Sequence, residues 1–137
     1  MKDVQAHWPD DAVEVSVDGE RRWLLADDTD RAAAGPVRTT RLLGPFDPLL
    51  QGRDRALLVP DRAHAKDLWR TLGRPGGVLV DGAVAGTWRP RKAGKRLGLQ
   101  VELWRAVPAA TREEIGAQAE RLAACRGATL GSVDVSG

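Results

Sequence analysis

A single cysteine, Cys125, stands among the 137 residues, so no internal disulfide can form and no four-ligand cysteine zinc cage can assemble. Histidine is nearly as scarce. His7 and His64 lie far apart with no cysteine beside either, so neither a metal site nor a cofactor is expected. The chain has no phosphate-binding P-loop, no dinucleotide fingerprint and no Gly-x-Ser-x-Gly nucleophile elbow. It has no basic start leading into an apolar run and nothing near the roughly 20 apolar residues of a membrane span. These absences point to the cytoplasm and away from a membrane.

What is present is ordinary for a globular protein: 42% hydrophobic and 29% charged residues, enough for a modest core. The formal net charge of +2 is too small to identify a nucleic-acid binder by itself, so the distribution of charge matters more than its sum. Arginine outnumbers lysine, but alanine and glycine are also abundant, which a GC-rich genome would produce without any selection for function. Arginine clustering is therefore more informative than arginine number.

Patterning divides the chain. Met1 to Trp8 reads as the end of a helix. Val13, Val15 and Val17 alternate with polar residues, Asp18-Gly19 favours a tight hairpin turn, and Arg22 to Ala26 returns with Trp23 and Leu25. Residues 31–40 read as a linker. Leu57 to Val59 suggests a short strand, and Asp61 a cap for a helix over Arg62 to Arg70 with Ala65, Leu68 and Trp69 inward. Val78 to Val80, Asp81-Gly82 and Ala83 to Trp88 form a second hairpin signal, closed by Pro90. Residues 97–103 are the best strand. Thr111 and Glu114 have capping-box spacing ahead of a helix with Ile115, Ala119, Leu122 and Ala123 on one side, and residues 128–137 read as a flexible tail.

The strongest local cluster is Arg89, Arg91, Lys92, Lys95 and Arg96, five cations in eight residues at a strand-to-strand tip that Gly94 lets bend. Such a loop can hold phosphates and release counterions, or can simply be a well-solvated hairpin tip. Trp88 adds a flat face nearby. Arg53, Asp54 and Arg55 form either an ion-pair lattice or a phosphate clamp. Asp47, between two prolines, either caps a turn or positions a water. Cys125 reads as a quiet packed thiol, and Trp69 and Trp104 as core or rim residues.

Taken in order, Arg41 to Trp69, Gly76 to Trp104 and the Pro-Ala-rich lead into the last helix resemble a bacterial family of winged-helix DNA-binding domain proteins that includes the AlkZ-type DNA glycosylases. The resemblance spans residues 41–127. It implies tandem winged helices followed by a β-barrel-like C-terminal domain, and hence an α+β chain here: a partial winged helix at 1–30 whose wing is the first hairpin, then a small antiparallel barrel-like sheet with a packed C-terminal helix. It also implies duplex DNA as a partner, alkylated or crosslinked in some members. The glycosylases carry a Gln-apolar-Gln or Gln-apolar-Asp motif in their N-terminal half. Gln100-Val101-Glu102 is similar in pattern but lies in the barrel region, so no catalytic residue is expected in this chain.

The expectation is thus a non-catalytic module holding duplex DNA through Arg89, Arg91, Lys92, Lys95 and Arg96, with Arg53 and Arg55 as further contacts. The alternative is a glycosylase-like hydrolase for damaged bases, in DNA repair or genotoxin self-resistance. An incomplete winged helix would leave Val13, Val15 and Trp23 needing cover from a second copy of the chain or a separate winged-helix polypeptide.

Overall fold

The computed structural model describes residues 9–30, 35, 38–53 and 55–137. The expected helix end at Met1 to Trp8, together with His7, lies outside the described residues, as does most of the linker. The chain divides into two units, Met1–Pro36 and Val37–Gly137.

The first unit holds an antiparallel hairpin, β1 (Ala12–Val17) and β2 (Glu20–Leu25), followed by a single 3₁₀ turn at Ala26–Asp28. Asp18 and Gly19 carry the two positive φ angles, 52° and 80°, that a two-residue hairpin turn requires for strands of natural twist. The register corrects one expectation. Trp23 pairs with Glu14, whereas Val13 and Val15 pair with Leu24 and Arg22. Side chains alternate along a strand, so Trp23 stands on the face opposite Val13 and Val15, and the three do not form one apolar surface.

The second unit runs β3 (Thr40–Leu43), three short helices α1 (Pro48–Gln51), α2 (Arg55–Leu58) and α3 (Arg62–Leu68), β4 (Gly76–Val80), β5 (Ala83–Ala93), β6 (Arg96–Leu103), α4 (Ala109–Cys125) and β7 (Thr129–Ser136). Its five strands form one sheet in chain order, antiparallel throughout except for β6 and β7, which run parallel with α4 as the crossover. Asp81 and Gly82, with φ of 51° and 84°, turn β4 into β5 as the sequence indicates.

Two cores flank this sheet. On one face α4 buries Ile115, Ala119 and Ala123 against Val78, Trp88 and the inward row Leu97, Leu99, Val101 and Leu103 of β6. On the other, Leu50, Val59 and Leu68 from the helical segment pack on Leu43, Leu79 and Val84. Full burial of such side chains is worth about 1.5–3 kcal/mol each, so the two cores account for the fold. Asp47 caps α1 by accepting from the Leu49 amide, and Asp61 caps α3 by accepting from the amides of Ala63 and His64.

The fold is mixed α+β, but the sheet is open and not a barrel. β3 and β7 remain unpaired edges, and α4 packs against both of them, so the helix bridges the gap that hydrogen bonding would close in a barrel. Four further expectations change. Thr129–Ser136 is a strand and not a tail, because Leu130, Val133 and Val135 reach the core beneath α4. Arg55–Leu58 is helical where Leu57 to Val59 suggested a strand. The turn buries Val59 and leaves Leu57 66% exposed, a division that a short apolar run does not reveal. The last helix starts at Ala109, two residues before Thr111, with Pro108 at its cap and no side-chain cap bond. Pro90 lies inside β5. β4 makes its last pair at Gly76 with Trp88, so from Arg89 onward β5 has a free side on which a missing N–H costs no ladder bond.

Candidate nucleic-acid interface

Because β5 outruns β4, the β5–β6 hairpin extends past Trp88 to a two-residue turn, Gly94-Lys95, with Ala93 opposite Arg96 and Gly94 at φ 60°. This extension carries the basic cluster. Arg91 and Arg89 share one face of the ribbon. Lys92, opposite Leu97, belongs to the other, and Lys95 and Arg96 occupy the turn and its far side. Arg91, Lys92, Lys95 and Arg96 are all exposed, and among the described residues none is ion-paired to a carboxylate. The Arg91 guanidinium donates to Gln100 Oε1 across the strand pair at 3.0 Å, which holds it over the ribbon face.

Arg89 differs from its neighbours. Its guanidinium lies 3.5 Å from Asp67 Oδ1, and both side chains are only about a third exposed. Asp67 also receives Arg70 at 3.1 Å, so Arg89 ties β5 to α3 and is partly neutralised. Trp88 is no stacking platform. It is 2% exposed, and its indole N–H donates to the Leu43 carbonyl at 2.8 Å. Gly76 makes room for this bond, since a Cβ there would meet both the indole nitrogen and that carbonyl.

Arg53 and Arg55 sit on the separate α1–α2 segment. Arg53 is exposed, and the Arg55 guanidinium lies 5.1 Å from the centroid of Trp69, whose indole N–H bonds the Leu50 carbonyl. Asp54 lies outside the described residues, so the choice between lattice and clamp stays open.

Asp47 is a turn cap. His64 stacks flat on Trp104 at 4.4 Å, with its Nδ1 3.6 Å from Asp61. The Asp61 carboxyl titrates below its ordinary range, chiefly because it accepts the His64 amide. Gln100 is held by Arg91, and Glu102 points outward from β6. Cys125 is exposed at the end of α4 and not packed as its small apolar neighbours suggest. Among the described residues no three metal-binding side chains converge, and no helix is long and apolar enough to cross a membrane. Arg38 and Arg41 line a groove between β3 and α4 together with Arg121, about eighty residues further along the chain. Their one sequence signal is that Glu114, Ala117, Gln118 and Arg121 fall at i, i+3, i+4 and i+7 along one stripe of α4.

No curated protein matches the chain. The solved structure of Streptomyces sahachiroi DNA glycosylase AlkZ matches with a TM-score of 0.72 and 24% identity over 93% of this chain, which shows the same fold. The match covers 34% of that protein, so the chain spans about a third of its length. A family described as "DNA glycosylase AlkZ-like" matches residues 1–125, and the chain belongs to this AlkZ-like family.

Proposed function

We propose that this chain holds duplex DNA, in the cytoplasm, by gripping backbone phosphates with the β5–β6 tip. The observation that carries the reading is the set of four exposed cations, Arg91, Lys92, Lys95 and Arg96, without carboxylate partners among the described residues, on a ribbon that extends beyond the rest of the sheet. Phosphate contacts made this way are indifferent to base sequence and displace counterions. Arg89 contributes less than its neighbours because Asp67 already engages it. Family membership supports DNA as the partner. In this reading the β1–β2 hairpin is the wing of a winged helix.

The test is a salt titration of duplex affinity. Each lost phosphate contact flattens the log–log slope by about 0.9, so Arg91→Ala with Lys95→Ala should lower it by up to about two, alike on unrelated duplexes. The fold should persist, because exposed substitutions usually change stability by only about 0.5 kcal/mol. An unchanged slope would move the contact elsewhere, with Arg53 and Arg55 next in line. No binding by the wild type at low salt would overturn the reading.

The family description favours a second reading, excision of an alkylated or crosslinked base. Incubating the chain with alkylated duplex and assaying abasic sites decides between them. Release of the modified base above background makes it an enzyme. No release, with salt-dependent binding retained, leaves a DNA-holding module.

A further inference from the structure

The groove between β3 and α4 holds a second concentration of positive charge, on elements that take no part in the tip. Arg38 comes from the lead-in to β3, Arg41 from β3 itself and Arg121 from α4, with Thr39, Gln118 and Glu114 completing the wall. Three arginines and one acidic residue, Glu114, line it, and the Asp81 carboxylate accepts the Thr39 amide at its wall. Arg38 and Arg121 have no ion pair among the described residues, and Arg41 donates only to the neighbouring Thr40 carbonyl at 2.8 Å. The other acidic residues of α4 do not relieve the imbalance. Glu113 and Glu120 lie about 100° round the helix from the stripe that carries Glu114, Gln118 and Arg121.

The groove is also positioned firmly. Thr39 exchanges hydrogen bonds with Asp81, its amide donating to Oδ1 at 3.0 Å and its carbonyl accepting the Asp81 amide at 2.8 Å. Thr40 is buried and the α4 stripe is fixed by Ile115, Ala119 and Ala123 beneath it. Its volume of about 220 Å³ exceeds several times the roughly 30 Å³ that a water occupies, so an anion with ordered water fits. Arginine forks match the paired oxygens of a phosphate, and the Gln118 amide adds a neutral donor.

We propose that this groove is a phosphate-binding site that takes a backbone phosphate of the duplex, separately from the hairpin tip. The assignment to a duplex rests on the DNA-holding reading above. The same chemistry would accept a free phosphate, and the experiment separates the two sources.

The full chain is titrated with duplex over a range of salt as wild type, as Arg38→Ala with Arg121→Ala, and as Arg91→Ala with Lys95→Ala. Wild type and the groove variant are also titrated with inorganic phosphate, following the Thr39 and Gln118 amide resonances. A charge reversal, Arg121→Glu, and a thermal melt of each variant guard against a folding effect. Arg41 is left in place because it satisfies a β3 carbonyl. The expected result is a slope lower by about one to two in the groove variant, additive with the tip variant. An unchanged slope with a saturable phosphate response lost in the groove variant would keep the site and make free phosphate its ligand. An unchanged slope with no phosphate response, in variants that melt as the wild type does, overturns the site and leaves the tip standing. If the wild type binds no duplex but responds to phosphate, the DNA-holding reading falls and the groove survives it.

Discussion

Gly76→Ala is the sharpest test of how this fold is assembled. Gly76 lies fully buried in β4, and a Cβ added there would collide with the Trp88 indole nitrogen and the Leu43 carbonyl. Neither can easily withdraw. Leu43 O is backbone in β3, and Trp88 is locked in the core by its ring and by its 2.8 Å bond to that same oxygen. Forcing a methyl into a packed core costs about 1–3 kcal/mol. Stretching or breaking the buried indole–carbonyl bond adds about 1–2 kcal/mol. Alanine reduces unfolded-chain entropy, which returns about 0.4–1 kcal/mol. The net expectation is a loss of about 2–4 kcal/mol, seen as a fall of about 10 °C or more in the thermal midpoint and as a lower denaturant midpoint at constant m. Trp88→Phe should be destabilising alone, because it strands the carbonyl. Combined with Gly76→Ala it should cost less than the sum, because the shorter ring vacates the space the methyl needs. An unchanged midpoint for Gly76→Ala, or strictly additive single effects, would mean that β3, β4 and β5 do not meet through Trp88.

Three further outcomes follow from the packing. Leu99→Ala, at a fully buried position of β6, should lower stability by about 2–5 kcal/mol in urea denaturation; an unchanged midpoint would mean that the inward face of β6 is misassigned. Asp61→Ala should lower the thermal midpoint through the lost α3 cap. Because the folded-state pKa of Asp61 is lowered, its contribution is present above the ordinary carboxylate range and lost as pH falls through the folded pKa, so the gap between wild type and variant, measured by melts across acidic pH, should close at the low end. Ending the chain at Gly127 should cost about 3 kcal/mol or more, since Leu130, Val133 and Val135 would leave the core, and a truncated chain melting like the full one would make β7 an ornament of the sheet.

The parts of this fold legible in the sequence are those set by local chemistry. Asp18-Gly19 and Asp81-Gly82 announce their turns because few other pairs tolerate two successive positive φ angles. The alternation from Leu97 to Leu103 and the stripe of Ile115, Ala119 and Ala123 are written into the period of the element that carries them. The parts that were not legible depend on neighbours. Thr129–Ser136 has the composition of a tail, and only the exposed side of β6 and the underside of α4 make a strand of it. Arg55–Leu58 is short enough for either structure, and the position of the second core decides. Arg89 belongs to the basic cluster by sequence, yet Asp67, twenty-two residues away, takes its charge into the fold.

Pro90 shows how one such neighbour effect shapes the candidate interface. In the middle of a sheet a proline ends the ladder, and by that rule β5 should stop before the cations begin. It does not stop, because β4 does: with Gly76 opposite Trp88 as the last pair, Pro90 meets β6 on one side and no strand on the other. The missing N–H then has a use. A ribbon with a free flank presents unpaired backbone groups to any other chain, and a proline followed by Arg91 and Lys92 is among the devices that keep such an edge from pairing with another strand. The residues that protect the edge of β5 are thus the ones that place positive charge along it, so the segment Arg89 to Arg96 guards the edge with the same cations that the proposed function assigns to phosphate. Replacing Pro90 by threonine would separate the two roles: the tip charge stays intact while the edge regains a donor, so duplex affinity should hold as self-association rises. Sedimentation of Pro90→Thr as a monomer at high concentration would show that the cations alone guard the edge.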